Sequence, residues 1–108
     1  MANPKQLNQM MRQMQKMQSD MAAAQEALAN ETVEGSAGGG TVTAIATGAG
    51  ELRSISISPD VVDADDVEML EDLVVAAVGE ALRLAQALQQ ERLGGLTGGM
   101  DLGALGLG

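Results

Sequence analysis

The sequence predicts an α+β fold in which two long helices flank a short antiparallel β-sheet. Apolar residues recur with helical spacing over residues 4–30 and again over residues 64–93, and residues 41–58 alternate in the manner of two strands joined by a turn. The chain has 108 residues, which suits one domain. We assign residues 1–93 to a single α-β-β-α domain and residues 94–108, rich in Gly and Leu, to a disordered tail.

The first helix is predicted to begin at Pro4, with Asn3 as its N-cap, because proline suits the first helical position and asparagine caps well. Its apolar residues alternate in spacing between three and four, which is the seam of a coiled coil: Leu7, Met10, Met14, Met17, Met21, Ala24 and Leu28. This seam predicts packing on another helix. The alternative is a methionine-rich groove for varied partners, since methionine side chains adapt their shape.

Residues 31–40 interrupt the helical pattern, and Thr32 and Val33 could add a short strand there. The glycine run 38–40 lacks the Gly-Lys-Ser/Thr of a phosphate-binding loop and precedes a strand instead of a helix, so we expect a flexible connector.

The two predicted strands, Thr41–Thr47 and Glu51–Ser58, form a hairpin around the turn Gly48-Ala49-Gly50. Leu52 is out of phase with Ile55 and Ile57, and a bulge near Arg53-Ser54 would bring all three to one face. Because an isolated hairpin is unstable, a helix or a second sheet must cover that face.

The second helix is predicted over residues 64–93, with Asp63 as its N-cap and Gly94-Gly95 as its end. A calcium loop is disfavoured because its sixth and twelfth positions, counted from Asp63, hold Glu68 and Val74 in place of Gly and Glu. The helix carries two apolar stripes, more than a hairpin can cover, which indicates a subunit interface. The first contains Val67, Leu70, Val74, Ala77, Ala81, Leu84 and Leu88, and the second contains Met69, Leu73, Ala76 and Leu82.

Composition excludes several classes of function. The chain has no Cys, His, Trp, Tyr or Phe, so it has no zinc finger, no thiol or Ser-His-Asp chemistry and no base-stacking platform. It also lacks a long apolar run that would span a membrane. We therefore expect a cytoplasmic protein that is not an enzyme, with no cofactor, metal, membrane partner or small-molecule substrate.

A chain of this size buries only about 60–65% of its unfolded surface. With 17 alanines and no aromatic residue, a monomer would be marginally stable. We therefore expect a homo-oligomer that shares apolar surface between chains.

The formal net charge is -9, but the first 19 residues contain no acidic side chain. Lys5, Arg12 and Lys16 are spaced to share one face of the first helix, opposite the apolar seam. A cationic stripe among Gln and Asn residues suits phosphate oxygens. From the residues alone, an ordinary solvated helix face is the favoured interpretation.

Four stretches resemble the YbaB/EbfC family of bacterial nucleoid-associated proteins: residues 10–18 (MMRQMQKMQ), 38–59 with GGGTVT and GAGELRSISISP, 68–78 (EMLEDLVVAAV) and 96–99 (LTGG). The resemblance spans nearly the whole chain. It implies an intertwined homodimer whose hairpins and second helices form the centre, with the first helices projecting as arms.

The resemblance also implies binding of double-stranded DNA through its backbone, altered DNA conformation and a nucleoid location, with a role in gene expression. The matching candidates for DNA contact are Lys5, Arg12, Lys16, Arg83 and Arg92, and those for dimer packing are Val74, Ala77, Val78, Ala81, Ile55 and Ile57. Ser56 and Ser58 stand where the family commonly has charged residues, so we expect weak, steeply salt-sensitive binding. The alternative function is a protein-interaction module that grips a partner through the methionine seam.

Overall fold

The computed structural model describes residues 3–96, and the side chains of residues 3–94. In chain order the elements are helix α1 (Pro4–Asn30), strands β1 (Thr32–Ala37), β2 (Val42–Thr47) and β3 (Leu52–Ile57), a 3-10 turn (Pro59–Val61) and helix α2 (Val67–Leu96). The predicted α+β class is confirmed. The prediction of a disordered tail falls largely on residues 97–108, which lie outside the described residues.

Helix α1 has the predicted boundaries. The side-chain oxygen of Asn3 accepts a hydrogen bond from the backbone N–H of Gln6 at 2.8 Å, and Pro4 occupies the first turn, where its missing N–H leaves no helical bond unmade. At the other end, the backbone N–H of Glu31 donates to the carbonyl of Ala27 at 3.0 Å before the chain becomes extended.

The sheet has three antiparallel strands in the order β1-β2-β3, one more than the predicted hairpin. Residues 32–37 form a complete strand, paired along its whole length with β2. The expected flexible connector is therefore wrong: Gly38, Gly39 and Gly40 make a tight turn with φ values of 62°, 69° and 92°. Three successive positive φ values explain the glycine run, because other residues adopt that region at a cost.

The predicted bulge in β3 is confirmed. Ser54 pairs with Ile45 and Leu52 pairs with Ala46, so Arg53 is the extra residue. The offset returns Leu52 to the face of the sheet that also carries Ile55 and Ile57.

Helix α2 begins later and ends later than predicted. Asp66, not Asp63, caps it by accepting from the backbone N–H of Met69 at 3.3 Å. Asp63 instead stabilises a preceding turn, where its carboxylate accepts from the N–H of Asp65 at 2.9 Å. The helix continues through the glycine pair that was expected to end it, as far as Leu96.

Small residues form the core between α2 and the sheet. Its fully buried members are Val42, Ala44, Ala46, Ala77 and Ala81. Where α2 crosses β1, a Cβ on Gly35 would lie 2.4 Å from the backbone oxygen of Ala77 and 2.4 Å from the nitrogen of Ala81. The helix and the strand therefore touch backbone to backbone, which only glycine permits at this position.

Helix α2 covers β1 and β2 and scarcely reaches β3. The apolar row of β3 points to the same side of the sheet as α2 and remains open, with Leu52, Ile55 and Ile57 exposed by 42%, 38% and 40%. We call these three residues the β3 shelf.

Helix α1 joins the rest of the molecule only through its last turns. Leu28 is buried, and Gly48 makes room for it, since a Cβ there would lie 2.9 Å from the Leu28 carbonyl oxygen. The molecule measures 74 × 29 × 16 Å, and its radius of gyration of 20.8 Å far exceeds the roughly 13 Å of a compact domain of this length. Within residues 3–96 no helix is long and apolar enough to cross a bilayer.

Candidate nucleic-acid interface

Residues 4–20 of α1 form a projecting segment that we call the arm, and every one of them is exposed. Within residues 3–96 no helix covers the apolar residues of the arm, whereas the seam near the end of α1 packs on α2, where Leu28 is buried. Packing of the rest of the seam on another helix stays a prediction. We call Met10, Met14, Met17 and Met21 the methionine face; Met14 and Met17 are 62% and 55% exposed, and Met21, at the base of the arm, is half-buried.

Lys5, Arg12 and Lys16 lie on the opposite side of the arm. At 100° per residue they fall within about 40° of one another, over about 16 Å of helix. All three are exposed. Among residues 3–94 the one ion pair joins Arg92 to Glu31, so these three cations have no carboxylate partner in the described part of the chain. We call them, with the neighbouring Gln9, the basic face.

Asp20 ends the arm one turn beyond Lys16, but a large group of acidic residues lies far from the arm. Seven carboxylates follow β3 and line the start of α2: Asp60, Asp63, Asp65, Asp66, Glu68, Glu71 and Asp72. Glu68 is separated along the helix from Arg92, beside the base of the arm, by about 36 Å. At a Debye length of about 8 Å in physiological salt, this cluster is strongly screened at the basic face.

The base of the arm is held by two arginines. Arg92 donates two hydrogen bonds to the carboxylate of Glu31, one of them from Nε to Oε2 at 3.1 Å. These bonds lower the pKa of the Glu31 carboxyl and raise that of the Arg92 guanidinium. Arg53, at the bulge of β3, donates from Nη2 to the carbonyl oxygen of Ala29 at 3.3 Å.

Sequence reasoning missed the role of Arg53. The sequence predicts a bulge near Arg53-Ser54, but nothing in the pattern shows that the Arg53 side chain returns to the end of α1. A cation at that end is favourable because the last carbonyls of a helix carry partial negative charge.

The structure brings three of the five candidate DNA contacts together and separates the other two. Arg92 forms an ion pair with Glu31, although its side chain remains exposed. Arg83 lies on the side of α2 that faces away from the sheet, with its guanidinium over Gly79, where a Cβ would be 3.3 Å from Nη1.

The candidate packing residues divide into two groups. Ala77 and Ala81 are fully buried beneath the sheet of their own chain, and Val74 and Val78 pack against the same core. Ile55 and Ile57 belong to the open β3 shelf. Within this set, only the two isoleucines offer substantial apolar surface to a partner.

The outward side of α2 adds apolar surface to that of β3. Val75 is 71% exposed, and Leu82 is also exposed, on the same flank of the helix. The second apolar stripe of the sequence contains Leu82, but it does not contain Val75, which the spacing argument missed.

An open groove lies beside the acidic start of α2, where it is lined by Asp66, Glu68, Met69, Asp72 and Leu73. Residues 3–96 hold no group of three carboxylates placed to bind a metal ion.

Comparison with known proteins supports the family assignment. A family model described as the YbaB/EbfC DNA-binding family matches residues 3–100. Proteins named nucleoid-associated protein include one from Saccharopolyspora erythraea, 54% identical over 94% of this chain and 90% of the relative. Another, from Streptomyces griseus, is 57% identical over 90% of this chain and 85% of the relative.

Among solved structures, the crystal structure of an uncharacterized protein from Helicobacter pylori matches with a TM-score of 0.68 and 18% identity. The match covers 94% of this chain and 100% of that protein, and at this identity it shows the fold alone. Together with the family model and the close relatives, it confirms the resemblance drawn from the sequence: the chain belongs to the YbaB/EbfC DNA-binding family.

Proposed function

We propose that this protein binds double-stranded DNA through the phosphate backbone as a homodimer, with the basic face of each arm as the contact surface. The observation that carries the proposal is the placement of Lys5, Arg12 and Lys16. They share one exposed face of a projecting helix, and the first acidic residue in the chain is Asp20. Membership of a DNA-binding family supports the same conclusion, and that family is not a family of enzymes.

The relatives bear the name nucleoid-associated protein. We propose the same location for this chain, on the nucleoid in the cytoplasm. There it would alter the conformation of the DNA and thereby gene expression, without a cofactor or a small-molecule substrate.

The β3 shelf and the outward side of α2 support the homodimer. Both expose aliphatic side chains, among them Val75, Ile55 and Ile57. Exposed apolar patches of this kind mark interaction surfaces, and the core of the single chain is small. Edge strand β3 also has one unpaired side, which a second copy could cover. In an isologous dimer each subunit would contribute the same surface.

A dimer doubles the basic face to six cations, which remains few. If about four phosphates are neutralised, a plot of the logarithm of the association constant against the logarithm of the salt concentration has a slope of about -3.6. The affinity would then fall about 100-fold between 50 and 200 mM salt. Backbone contacts carry little sequence information, so binding should vary little among DNA sequences.

The test is a gel-shift titration of a random-sequence duplex at two salt concentrations, with the wild type and the variant Arg12→Gln/Lys16→Gln. We expect the double variant to bind all sequences more weakly and with a shallower salt slope. If the affinity does not depend on salt concentration, or if the double variant binds as tightly as the wild type, the basic face does not contact DNA.

The exposed methionine face favours a second candidate, a protein-interaction module in which the arm grips a partner helix. The two functions use opposite sides of the arm. If this second function operates, Met14→Glu/Met17→Glu abolishes capture of the partner, whereas Arg12→Gln/Lys16→Gln leaves capture unchanged.

A further inference from the structure

We propose that the exposed methionines of the arm are a site of reversible oxidation by peroxides, and that their sulfoxides weaken DNA binding by loosening the helix that carries the basic face. We call Met10, Met11, Met14 and Met17 the arm methionines. The oxidation site stands on exposure and composition. Its effect on DNA binding rests on the proposed function.

Thioethers are the side chains of this protein that a peroxide oxidises most readily. The chain has eight methionines and no Cys, His, Trp or Tyr. An oxidant that reaches the protein therefore has methionine sulfur as its main target. Five of the eight methionines lie between Met10 and Met21, so the targets are concentrated in α1.

The arm methionines are open to a small oxidant. Each of them is more than half exposed, whereas Met69 in α2 is 38% exposed and Met21 is half-buried. Met14 and Met17 also line an open groove of about 430 Å³. A peroxide can therefore reach these sulfur atoms without any unfolding of the body, and susceptibility to oxidation follows exposure.

The reaction needs only the thioether and the peroxide. A lone pair of the methionine sulfur attacks one oxygen of hydrogen peroxide, so that an S–O bond forms as the O–O bond breaks. The departing hydroxide takes the proton of the transferred OH group and leaves as water. The sulfur loses two electrons to the peroxide, and methionine sulfoxide reductases, one for each sulfoxide epimer, reverse the change.

The helix of the arm is sensitive to this change because little else holds it. Every residue from 4 to 20 is exposed, and a helix without tertiary packing is only marginally stable. Met10, Met14 and Met17 stand four and three residues apart, where neighbouring apolar side chains support a helix. A sulfoxide is polar, and its oxygen can accept hydrogen bonds from backbone N–H groups in competition with the helix. Oxidation should therefore reduce the helical content of the arm.

The basic face depends on that helix. Lys5, Arg12 and Lys16 are far apart in sequence, and they share one face only while the arm is helical. A loosened arm must be ordered again when it binds DNA, and the lost conformational entropy lowers the affinity. The thioether and the sulfoxide are both neutral, so the loss would come from the helix and not from a change in charge.

Peptide mapping by mass spectrometry tests the oxidation site. The full chain is treated with hydrogen peroxide for increasing times and then cleaved after Lys and Arg, which places Met10 and Met11 in residues 6–12 and Met69 in residues 54–83. We expect the first peptide to gain oxygen about twofold faster or more per methionine, because it is the more exposed. Equal rates, or a faster gain at Met69, would overturn the assignment of the arm as the oxidation site.

Circular dichroism and gel-shift titration at low salt test the consequence. The matched control is Met10→Leu/Met11→Leu/Met14→Leu/Met17→Leu, because leucine is a comparably good helix former without a thioether. We expect peroxide to lower the helical signal and to weaken DNA binding several-fold in the wild type, and to change neither much in the control, which retains Met21 and Met69. An oxidised wild type that keeps its helical signal and its affinity would overturn the consequence, and so would an equal loss in the control.

Reversal gives the same answer without a substitution. Treatment of the oxidised wild type with reductases for both epimers should restore the helical signal and the affinity. Sulfoxides that are removed without any recovery would mean that the loss had another cause. If the untreated protein does not bind DNA, the proposed function fails, while peptide mapping and circular dichroism still decide whether the arm is oxidised and loosened.

Discussion

The body of the molecule, which is formed by the sheet and α2, differs from the arm in the size and exposure of its side chains. In the body, Gly35, Ala77 and Ala81 bring a strand and a helix into backbone contact. In the arm, long methionine, glutamine and lysine side chains project from a helix that nothing in the described part of the chain covers. Small residues thus determine how the body is shaped, and large exposed residues determine what the arm can contact.

The two regions also differ in charge. The arm carries three cations and ends at its first acid, Asp20, whereas seven carboxylates cluster around the start of α2. A net charge of -9 would suggest a protein that avoids DNA. The separation of the two regions shows why net charge is a poor guide when one helix projects from an acidic body.

The largest expected effect comes from the closest contact in the body. Gly35→Ala places a methyl group 2.4 Å from the backbone of α2, where no side chain can move aside. We expect a loss of about 3 kcal/mol or more in the free energy of unfolding, because overpacked cores must shift their backbone. Thermal or urea unfolding measures this loss.

Gly79→Ala is the control, because Gly79 lies in α2 and the atom nearest to its added methyl group is the end of the flexible Arg83 side chain. We expect stability to be unchanged or raised by up to about 1 kcal/mol, as helix propensity favours alanine. Equal destabilisation by the two substitutions would contradict the backbone contact at Gly35.

The next effect concerns the open side of the body. Ile55→Ser/Ile57→Ser makes the β3 shelf polar, and we expect the proposed dimer to dissociate at concentrations about tenfold higher or more, since a buried isoleucine contributes about 1.5–3 kcal/mol. Analytical ultracentrifugation measures the dissociation constant. Ser54→Ala, on the other face of β3, should leave it unchanged, and an unaltered dimer in the isoleucine variant would place the subunit interface elsewhere.

A smaller effect should separate the two sides of the arm. Gln9→Glu and Gln18→Glu each add one negative charge to the same exposed helix, but Gln9 lies on the basic face and Gln18 lines the methionine face. We expect Gln9→Glu to weaken DNA binding several-fold at low salt and Gln18→Glu to weaken it much less. Equal losses would mean that only the total charge of the arm matters.

The smallest effect is expected where arm and body meet. The bond to Arg92 lowers the pKa of Glu31 in the folded protein, so its stabilising contribution is present above the ordinary value of 4.5 and is lost as pH falls through the lowered pKa. Arg92 is exposed and Glu31 is partly exposed, so the contribution is small. Glu31→Gln should reduce the acid dependence of unfolding below pH 4.5 and leave stability near neutral pH almost unchanged, as measured by thermal unfolding at several pH values.

Much of the body could be predicted from the sequence because its signals are local. The cap at Asn3 can be predicted from a few neighbouring residues, and so can the bulge, because Leu52 is out of the two-residue alternation of Ile55 and Ile57. Strand β1 was underestimated because Glu34, Gly35 and Ser36 have weak strand propensity. That strand is held by β2 and by the close approach of α2, both of which are tertiary contacts.

The start of α2 shows a limit of another kind. Asp63 and Asp66 are equally good caps by residue type, and the choice between them depends on the turn that follows Pro59. For the candidate site, spacing was sufficient to place Lys5, Arg12 and Lys16 on one face. The ion pair of Arg92 with Glu31 joins residues 61 positions apart and leaves no local signal.

We propose that DNA contacts the arm and does not contact the acidic end of α2. Backbone amide NMR during titration with a random-sequence duplex at low salt tests it residue by residue. We predict progressive shifts across Lys5 to Lys16 that reverse on addition of salt, with no shifts across Asp60 to Asp72. Shifts confined to the body, with the arm unaffected, would show that DNA does not bind the arm.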